Sequence, residues 1–151
     1  EQNDFKKFRF IVQCPNKLNK KLIDKFINKK YDFIIKNYFY NINEILETSS
    51  FVISRSGAGT INDLIKHRLP SILVPLANSK DNHQYFNALL LSRIGASKIF
   101  NYLEDDFDTL RAFIYEIYNN KKKLNNIIDS LKKIEITNSN DLMYNLVINE
   151  K

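Results

Sequence analysis

The sequence predicts an α/β fold, in which a doubly wound and mostly parallel sheet is followed by a helical tail. Two observations lead to this class. Short runs of β-branched and aromatic residues alternate with longer segments in which apolar residues recur at helical spacing. Such alternation produces βαβ units, and their right-handed crossovers give a parallel sheet. We expect one domain over residues 1–151, with an α/β part in residues 1–105 and a helical tail in residues 106–151.

The predicted strands are short apolar runs that end at polar residues or at proline. Pro75, for example, closes the buried run before it, because proline donates no hydrogen bond to a sheet. The predicted strands are Phe8–Gln13, Asp32–Ile35, Phe51–Ile53, Ser71–Val74 and Lys98–Phe100. Ligands of parallel sheets bind at the carboxyl ends of the strands, so we expect the informative residues in the loops that follow them.

The predicted helices lie between these strands. Asn41 with Glu44 three residues later is typical of a helix start, and Gly95 is typical of the residue after a helix end. The predicted helices are Asn19–Asn28, Asn41–Thr48, Thr60–His67 and Asp81–Ile94. The sequence after about residue 106 is predicted to be helical, in two or three segments.

Composition excludes several classes of protein. With 44% hydrophobic and 26% charged residues, the chain can bury a core and is not predicted to be disordered. No apolar run approaches the roughly 20 residues that span a bilayer, and the polar first residues are unlike a signal peptide. The single cysteine, Cys14, excludes an intrachain disulfide framework. His67 and His83 are the only histidines, and the sequence does not place three or four ligands at the spacing of a metal site. We expect a reducing compartment and no metal.

The net charge of +6 is a modest excess. Lysines are spread along the chain, and their longest run, Lys121–Lys123, falls in a predicted connection between helices. Nucleic-acid binding is not expected, because the sequence has no arginine-rich patch with interleaved aromatic residues. A positive surface of this kind is compatible with a phosphorylated ligand or an anionic membrane.

The loop after the third strand has the composition of an anion site. Ser56, Gly57, Ala58 and Gly59 are small residues that let backbone N–H groups approach a ligand, and Thr60 opens the predicted helix. A helix N-terminus adds about half a positive charge, which suits a diphosphate. An equally good alternative is a tight turn in which Thr60 caps the helix.

The next polar residues at this edge suit hydroxyl groups. Asp63, in the first turn of the predicted helix, is placed to accept hydrogen bonds from a ribose diol. His83, Gln84 and Asn87 lie in the first turns of the helix after the fourth strand, and amides that donate and accept suit neutral sugars. The alternative for Asp63 is a carboxylate that only complements the helix dipole. The alternative for the three residues of the next helix is a polar, exposed helix start. A lone histidine such as His83 is more often a hydrogen-bonding residue than a catalytic base.

Four motifs in a fixed order resemble one family. The motifs are Ser54–Ala58 with Gly59–Asp63, Leu69–Pro75, Asp81–Ala88 and Gly95–Ala96. Their order and spacing are similar to the carboxyl-terminal, donor-binding half of the MurG family. The resemblance implies a two-domain GT-B glycosyltransferase. Such an enzyme inverts the configuration at the sugar carbon and needs no cofactor or protein-bound metal. The resemblance further implies transfer of N-acetylglucosamine (GlcNAc) from UDP-GlcNAc to undecaprenyl-diphospho-muramoylpentapeptide, which converts lipid I to lipid II in peptidoglycan synthesis.

The resemblance assigns the nucleotide contacts position by position. Phe39 matches the position whose backbone reads the edge of the uracil, and Ile42 is expected beside the base. Gly59 and Thr60 match the helix start that contacts the phosphates.

The ribose and sugar positions depart from the family pattern. Asp63 matches a ribose-binding glutamate and is one methylene shorter. His83 and Gln84 match a Gln-Gln pair that holds the sugar hydroxyls, with Asn87 in a supporting role. Because His83 replaces a glutamine, Gln84 is the sugar contact that the resemblance retains.

The resemblance also implies parts that this chain does not contain. The family's donor domain begins with a further strand and a glycine-rich loop, and its acceptor half supplies the catalytic base. We therefore expect this chain to be a fragment that holds no catalytic residue and is inactive alone. We expect a cytoplasmic protein, peripheral on the cytoplasmic face of the inner membrane, with UDP-GlcNAc and a lipid-linked acceptor as its partners.

Two alternative functions stay open. The split GlcNAc transferase of the dolichol pathway has a soluble subunit that is similar to this half alone and needs a membrane partner chain. A non-catalytic nucleotide-sugar-binding module is the other alternative. The Tyr85–Ala88 match is closer to the bacterial enzyme, and titration with uridine nucleotides separates a donor site from a module without one.

Overall fold

The computed structural model describes residues 4–77 and 79–134. Contacts divide the chain into two compact units, residues 1–42 and 43–151, which we describe in turn. Within the described ranges, no helix is both long enough and apolar enough to cross a membrane.

The first unit is a βαβ motif. A short 3₁₀ turn, Asp4–Lys7, precedes strand β1 (Arg9–Gln13). Helix α1 (Asn16–Lys29) connects β1 to strand β2 (Asp32–Lys36). The two strands are parallel and are paired residue by residue along their whole length.

Aromatic rings hold α1 against these two strands. The Phe26 ring of α1 meets Phe10 of β1 edge-on, with 5.4 Å between the ring centroids, and meets Phe33 of β2 at 5.3 Å. Tyr31, which follows the helix, lies 5.6 Å from Phe26. Edge-to-face pairs contribute about 0.5–1.5 kcal/mol each beyond their buried area. One face of α1 is therefore fixed by Phe26.

The second unit is built on a three-stranded parallel sheet in the order β3-β4-β5. Its strands are β3 (Val52–Ser54), β4 (Ser71–Leu73) and β5 (Ser97–Ile99). Its helices are α2 (Ile42–Thr48), which begins at the last residue of the first unit, α3 (Ala58–His67), α4 (His83–Arg93), α5 (Phe107–Asn119) and α6 (Lys121–Lys132).

The core of the second unit surrounds its central strand. All three residues of β4 are buried, as expected for a strand covered on both faces. Leu64 of α3 and Leu91 of α4 are 0% exposed and belong to one cluster with Leu73 of β4. The two helices that begin at the carboxyl ends of β3 and β4 are thus anchored in this core.

These features confirm the predicted fold class, with its parallel strands, alternating helices and helical end. Gly95 follows α4 with φ of 72°, the left-handed conformation that glycine adopts without strain, as predicted. The strands pair in two sheets within the described residues, and the prediction of one continuous domain stays a prediction. Residues 135–151 of the predicted tail lie outside the described residues.

The predicted helix starts were wrong at three places. α3 begins at Ala58 rather than Thr60, because the backbone is already helical immediately after the extended Gly57. α4 begins at His83 rather than Asp81, because a left-handed backbone (φ 52° at Asp81) interrupts the helix there. α1 begins three residues earlier than predicted, at Asn16, directly after Pro15.

Leu64→Ala should lower the free energy of unfolding by about 2–5 kcal/mol, because it leaves a cavity beneath α3. Leu103→Ala, at a side chain that is 70% exposed, is the matched control and should change it by less than about 0.5 kcal/mol. Urea denaturation followed by circular dichroism measures both. Equal effects of the two substitutions would contradict the core described above.

Candidate functional site

The loops after β3, β4 and β5 meet at the carboxyl edge of the three-stranded sheet. Backbone hydrogen bonds continue the pairing past the strand ends. The Val74 N–H donates to the Ser54 carbonyl at 2.8 Å, and the Phe100 N–H donates to the Leu73 carbonyl at 2.8 Å. The three loops therefore start from one rigid edge.

The start of α3 presents free backbone N–H groups at this edge. Gly57 is the N-cap residue with extended backbone, and no side chain of the described residues caps the helix there. The first intrahelical bond is donated by the Ile61 N–H to the Gly57 carbonyl at 3.0 Å. The N–H groups of Ala58, Gly59 and Thr60 precede it, so they have no partner within the helix. Thr60 is thus the third helical residue, and the alternative in which it caps the helix is wrong.

No described residue requires glycine at position 59. A Cβ built at Gly59 would meet no atom of the described residues within 4 Å, and Gly59 lies in the first turn of a helix without a positive φ. Glycine costs about 1 kcal/mol relative to alanine in a helix. A residue that weakens the helix and fills no tight space leaves the backbone open to a close-fitting ligand.

Ser56 joins the start of α3 to α4 through two hydrogen bonds, which we call the Ser56 bridge. Ser56 is 0% exposed. Its Oγ donates to the Gln84 carbonyl at 2.7 Å, and its own carbonyl accepts from Asn87 Nδ2 at 3.0 Å. The bridge fixes the β3–α3 loop against the first two turns of α4. Asn87 is itself only 4% exposed.

The side chain of Gln84 also shapes the loop after β4. Its Oε1 accepts a hydrogen bond from the Leu76 N–H at 3.0 Å. Since one carboxamide oxygen is engaged in this way, its orientation is set by the loop. The amide nitrogen is then the end of Gln84 that is suited to donate to a ligand.

Arg55 connects all three loops, and sequence analysis did not single it out. Its Nη1 donates to the carbonyls of Val74 and Pro75, both at 3.0 Å, and its guanidinium carbon lies 5.7 Å from the centroid of the Tyr102 ring. These contacts link the loop after β3 to the loops after β4 and β5. The only sequence signal was an arginine within a small-residue turn.

His83 is the exposed first residue of α4. The backbone at Asp81 and Asn82 is left-handed, with φ of 52° and 53°. Asp and Asn tolerate this conformation better than most residues, and Asn82 makes no side-chain cap. The turn therefore brings the start of α4, with His83, to the edge that also holds Gln84.

The remaining predicted residues lie in different surroundings. Asp63 is half-buried on α3 and makes no hydrogen bond or ion pair with a described residue. Phe39 follows β2 in the first unit, is 7% exposed, and has Lys36 Nζ 5.6 Å from its ring centroid. Ile42, at the first position of α2, is 42% exposed. Among the described residues, no three His, Cys, Asp or Glu side chains are grouped so that they could hold a metal ion.

A family model and curated relatives match this chain. The model of the glycosyltransferase family 28 C-terminal domain matches residues 1–142. The UDP-N-acetylglucosamine–N-acetylmuramyl-(pentapeptide) pyrophosphoryl-undecaprenol N-acetylglucosamine transferase of Prochlorococcus marinus (strain MIT 9301) is 37% identical over 132 residues, which cover 85% of this chain and 36% of the relative. The relative of the same name from Wolbachia sp. subsp. Drosophila simulans (strain wRi) is 30% identical, covering 88% of this chain and 39% of its own length. The chain thus spans little more than a third of these relatives.

Solved structures support the same fold. The crystal structure of Acinetobacter baumannii MurG superposes with a TM-score of 0.73 at 17% identity, over 93% of this chain and 43% of that one. The glycotransferase of kitacinnamycin superposes with a TM-score of 0.56 at 13% identity, over 97% of this chain and 43% of that one. The family resemblance seen in the motifs is therefore confirmed by sequence, and the GT-B type of fold by structure.

Asn87→Leu should lower the free energy of unfolding by about 1–3 kcal/mol, because it leaves the buried Ser56 carbonyl without its donor while keeping a branched side chain of the same length. Asn126→Leu, at an exposed position on α6, removes the same amide elsewhere and should change the free energy of unfolding by less than about 0.5 kcal/mol. Denaturant titration of the two variants gives the comparison. A loss of equal size in both would show that the Ser56 bridge does not stabilise the edge.

Proposed function

The chain belongs to the glycosyltransferase family 28 C-terminal domain family, and we propose that it is the donor-binding part of a UDP-GlcNAc transferase. The proposed reaction moves GlcNAc to undecaprenyl-diphospho-muramoylpentapeptide, which yields lipid II for peptidoglycan. The names of the relatives support this reaction. Since the chain spans little more than a third of those relatives, we assign the acceptor site and the catalytic base to the rest of the whole protein.

The observation that carries the proposal is the open start of α3. The N–H groups of Ala58, Gly59 and Thr60 have no partner within the helix. Because Gly59 has no side chain, a ligand has room to approach them. The helix dipole places about half a positive charge at the same point. The diphosphate of UDP carries the charge and the acceptor oxygens that such a site binds. Ser56, Gly57 and Ala58 are proposed to complete the loop around it.

The sugars are proposed to lie on either side of the diphosphate. Asp63 is assigned to the ribose hydroxyls, because it is a half-buried carboxylate without a hydrogen-bond partner among the described residues. The Gln84 amide nitrogen and the exposed His83 are assigned to the GlcNAc hydroxyls. Asn87 is assigned an indirect part, since its amide holds Ser56.

The uracil is assigned to Phe39 and Ile42 from their positions in the family motif. Phe39 is a buried side chain, so its backbone rather than its ring is proposed to read the base edge. Ile42 offers a partly exposed apolar side chain for packing.

This part of the protein is proposed to contribute positioning and leaving-group stabilisation. A hydroxyl of the acceptor attacks the anomeric carbon of GlcNAc and gives its proton to the base assigned to the rest of the protein. The bond from that carbon to the diphosphate breaks, and UDP leaves with the electron pair. Negative charge grows on the leaving diphosphate, where the α3 N–H groups oppose it. Holding the donor in one orientation lowers the entropic part of the barrier. A lipid-linked acceptor places the protein at the cytoplasmic face of a membrane.

Gly59→Ala should change stability and binding in opposite directions. Alanine favours the helix and should raise the free energy of unfolding by up to about 1 kcal/mol, whereas its methyl group occupies diphosphate space and should weaken UDP binding by on the order of tenfold, or about 1.4 kcal/mol. Lys66→Ala in the last turn of α3 is the control and should leave UDP binding unchanged. Calorimetric titration and urea denaturation measure the two effects. Unaltered UDP affinity in Gly59→Ala would overturn the proposed diphosphate position.

Asp63→Ala should weaken UDP binding by roughly tenfold to a hundredfold, since hydrogen bonds to a charged group contribute about 1.5–3 kcal/mol. Asp63→Glu restores the carboxylate with the longer reach of the family's glutamate and should bind UDP at least as tightly as the unaltered chain. Titration with inorganic diphosphate is the control. It contains no ribose, so its affinity should not depend on residue 63. If Asp63→Ala weakens UDP and diphosphate equally, Asp63 does not contact the ribose.

A further inference from the structure

The net positive charge of this protein arises in its first unit, although lysines occur throughout the chain. Residues 1–42 contain ten lysines and arginines against four acidic residues, a net charge of +6. Residues 43–151 contain thirteen of each and are neutral overall. A general lysine enrichment would have affected both units alike, so the excess in the first unit needs a local explanation.

Most of this charge lies on one exposed face of α1. Lys17, Lys21, Lys25 and Lys29 are spaced four residues apart, which places them in a row along the helix, and we call them the α1 lysine row. All four side chains are exposed, and Lys20 lies beside them and is exposed too. The opposite face carries Phe26, which is fixed against β1 and β2 by its ring contacts. The row is therefore held in one orientation by the rigid βαβ motif.

The lysines of this row are not neutralised within the described part of the chain. None of them forms an ion pair within 4.0 Å with a described residue. Asp24 is the acidic residue of α1, and it is exposed within the same face. Five lysines against one aspartate leave this face strongly positive.

Two apolar side chains border the lysine face. Leu18 is 54% exposed and Ile27 is 58% exposed, both on α1. A helix with lysines and exposed aliphatic residues on its outer surface is typical of attachment to a lipid surface, where the ammonium groups reach the headgroups and the aliphatic groups reach the acyl boundary. Nucleic-acid sites favour arginine and stacked aromatic residues instead, and α1 has no arginine on its outer face.

We propose that the α1 lysine row docks the protein on an anionic membrane by binding lipid phosphate headgroups. The choice of a membrane rests on the proposed function, because an acceptor carried by a lipid must be reached at a bilayer. Each lysine near an anionic surface increases binding about fivefold, which is about 1 kcal/mol converted at 1.4 kcal/mol per tenfold. Binding should fall with salt, because the screening length drops from about 10 Å at 0.1 M to about 3 Å at 1 M.

The test uses the 151-residue chain and sedimentation with phosphatidylcholine vesicles that contain or lack phosphatidylglycerol. The unaltered chain should bind only the anionic vesicles. The triple variant Lys17→Gln, Lys21→Gln, Lys25→Gln should bind them on the order of a hundredfold more weakly. The control Lys121→Gln, Lys122→Gln, Lys133→Gln removes the same charge from exposed positions of the second unit and should bind within about twofold of the unaltered chain. Helix content by circular dichroism verifies that both variants fold.

The outcomes separate this proposal from the donor-site proposal. UDP affinity should be the same in the unaltered chain and in both triple variants, since none of the replaced lysines belongs to the donor site. Vesicle binding without UDP binding would contradict the donor site and leave the membrane surface supported. Equal losses in both triple variants, or no binding to anionic vesicles, would overturn the membrane proposal.

Discussion

The candidate site depends on the burial of one hydroxyl group. Ser56 is 0% exposed and uses its side chain and its carbonyl to hold two positions of α4. Because α3 begins two residues after Ser56, the same bonds set the direction in which the α3 N–H groups point. The proposed diphosphate contact on α3 and the proposed sugar contact on α4 keep a fixed separation only while this bridge is intact.

The helices of this chain differ in side-chain capping. α5 begins at Asp106, whose side chain accepts from the Asp108 N–H, and α6 begins at Asn120, whose side chain accepts from the Lys123 N–H. α1, α3 and α4 each begin after the carboxyl end of a strand, and none of them has a side-chain cap. A cap contributes about 1 kcal/mol, so α1, α3 and α4 lack a stabilising contact that α5 and α6 have. At α3 the uncapped groups are available to a ligand.

Sequence patterns predicted the elements well and their local geometry less well. Alternating apolar runs gave the five strands, and Gly95 gave the end of α4, because burial and a left-handed backbone leave clear signals. The start of α3 was misplaced because Ala58 and Gly59 resemble loop residues in composition. Arg55 was missed because it binds the backbone carbonyls of Val74 and Pro75, and carbonyl partners leave no trace in a sequence. The roles of the individual site residues stay predictions.

The lysine face of α1 has a cost that the first unit must offset. Like charges four residues apart destabilise a helix by about 0.2–0.5 kcal/mol per pair, so the three successive pairs of the α1 lysine row cost on the order of 1 kcal/mol. Asp24 relieves part of this repulsion through its proximity to Lys20 and Lys21. The two edge-to-face contacts of Phe26, at about 0.5–1.5 kcal/mol each, match the remainder. The aromatic face of α1 therefore stabilises a helix whose other face is destabilising in water, and contact with an anionic surface would turn that second face into a stabilising one.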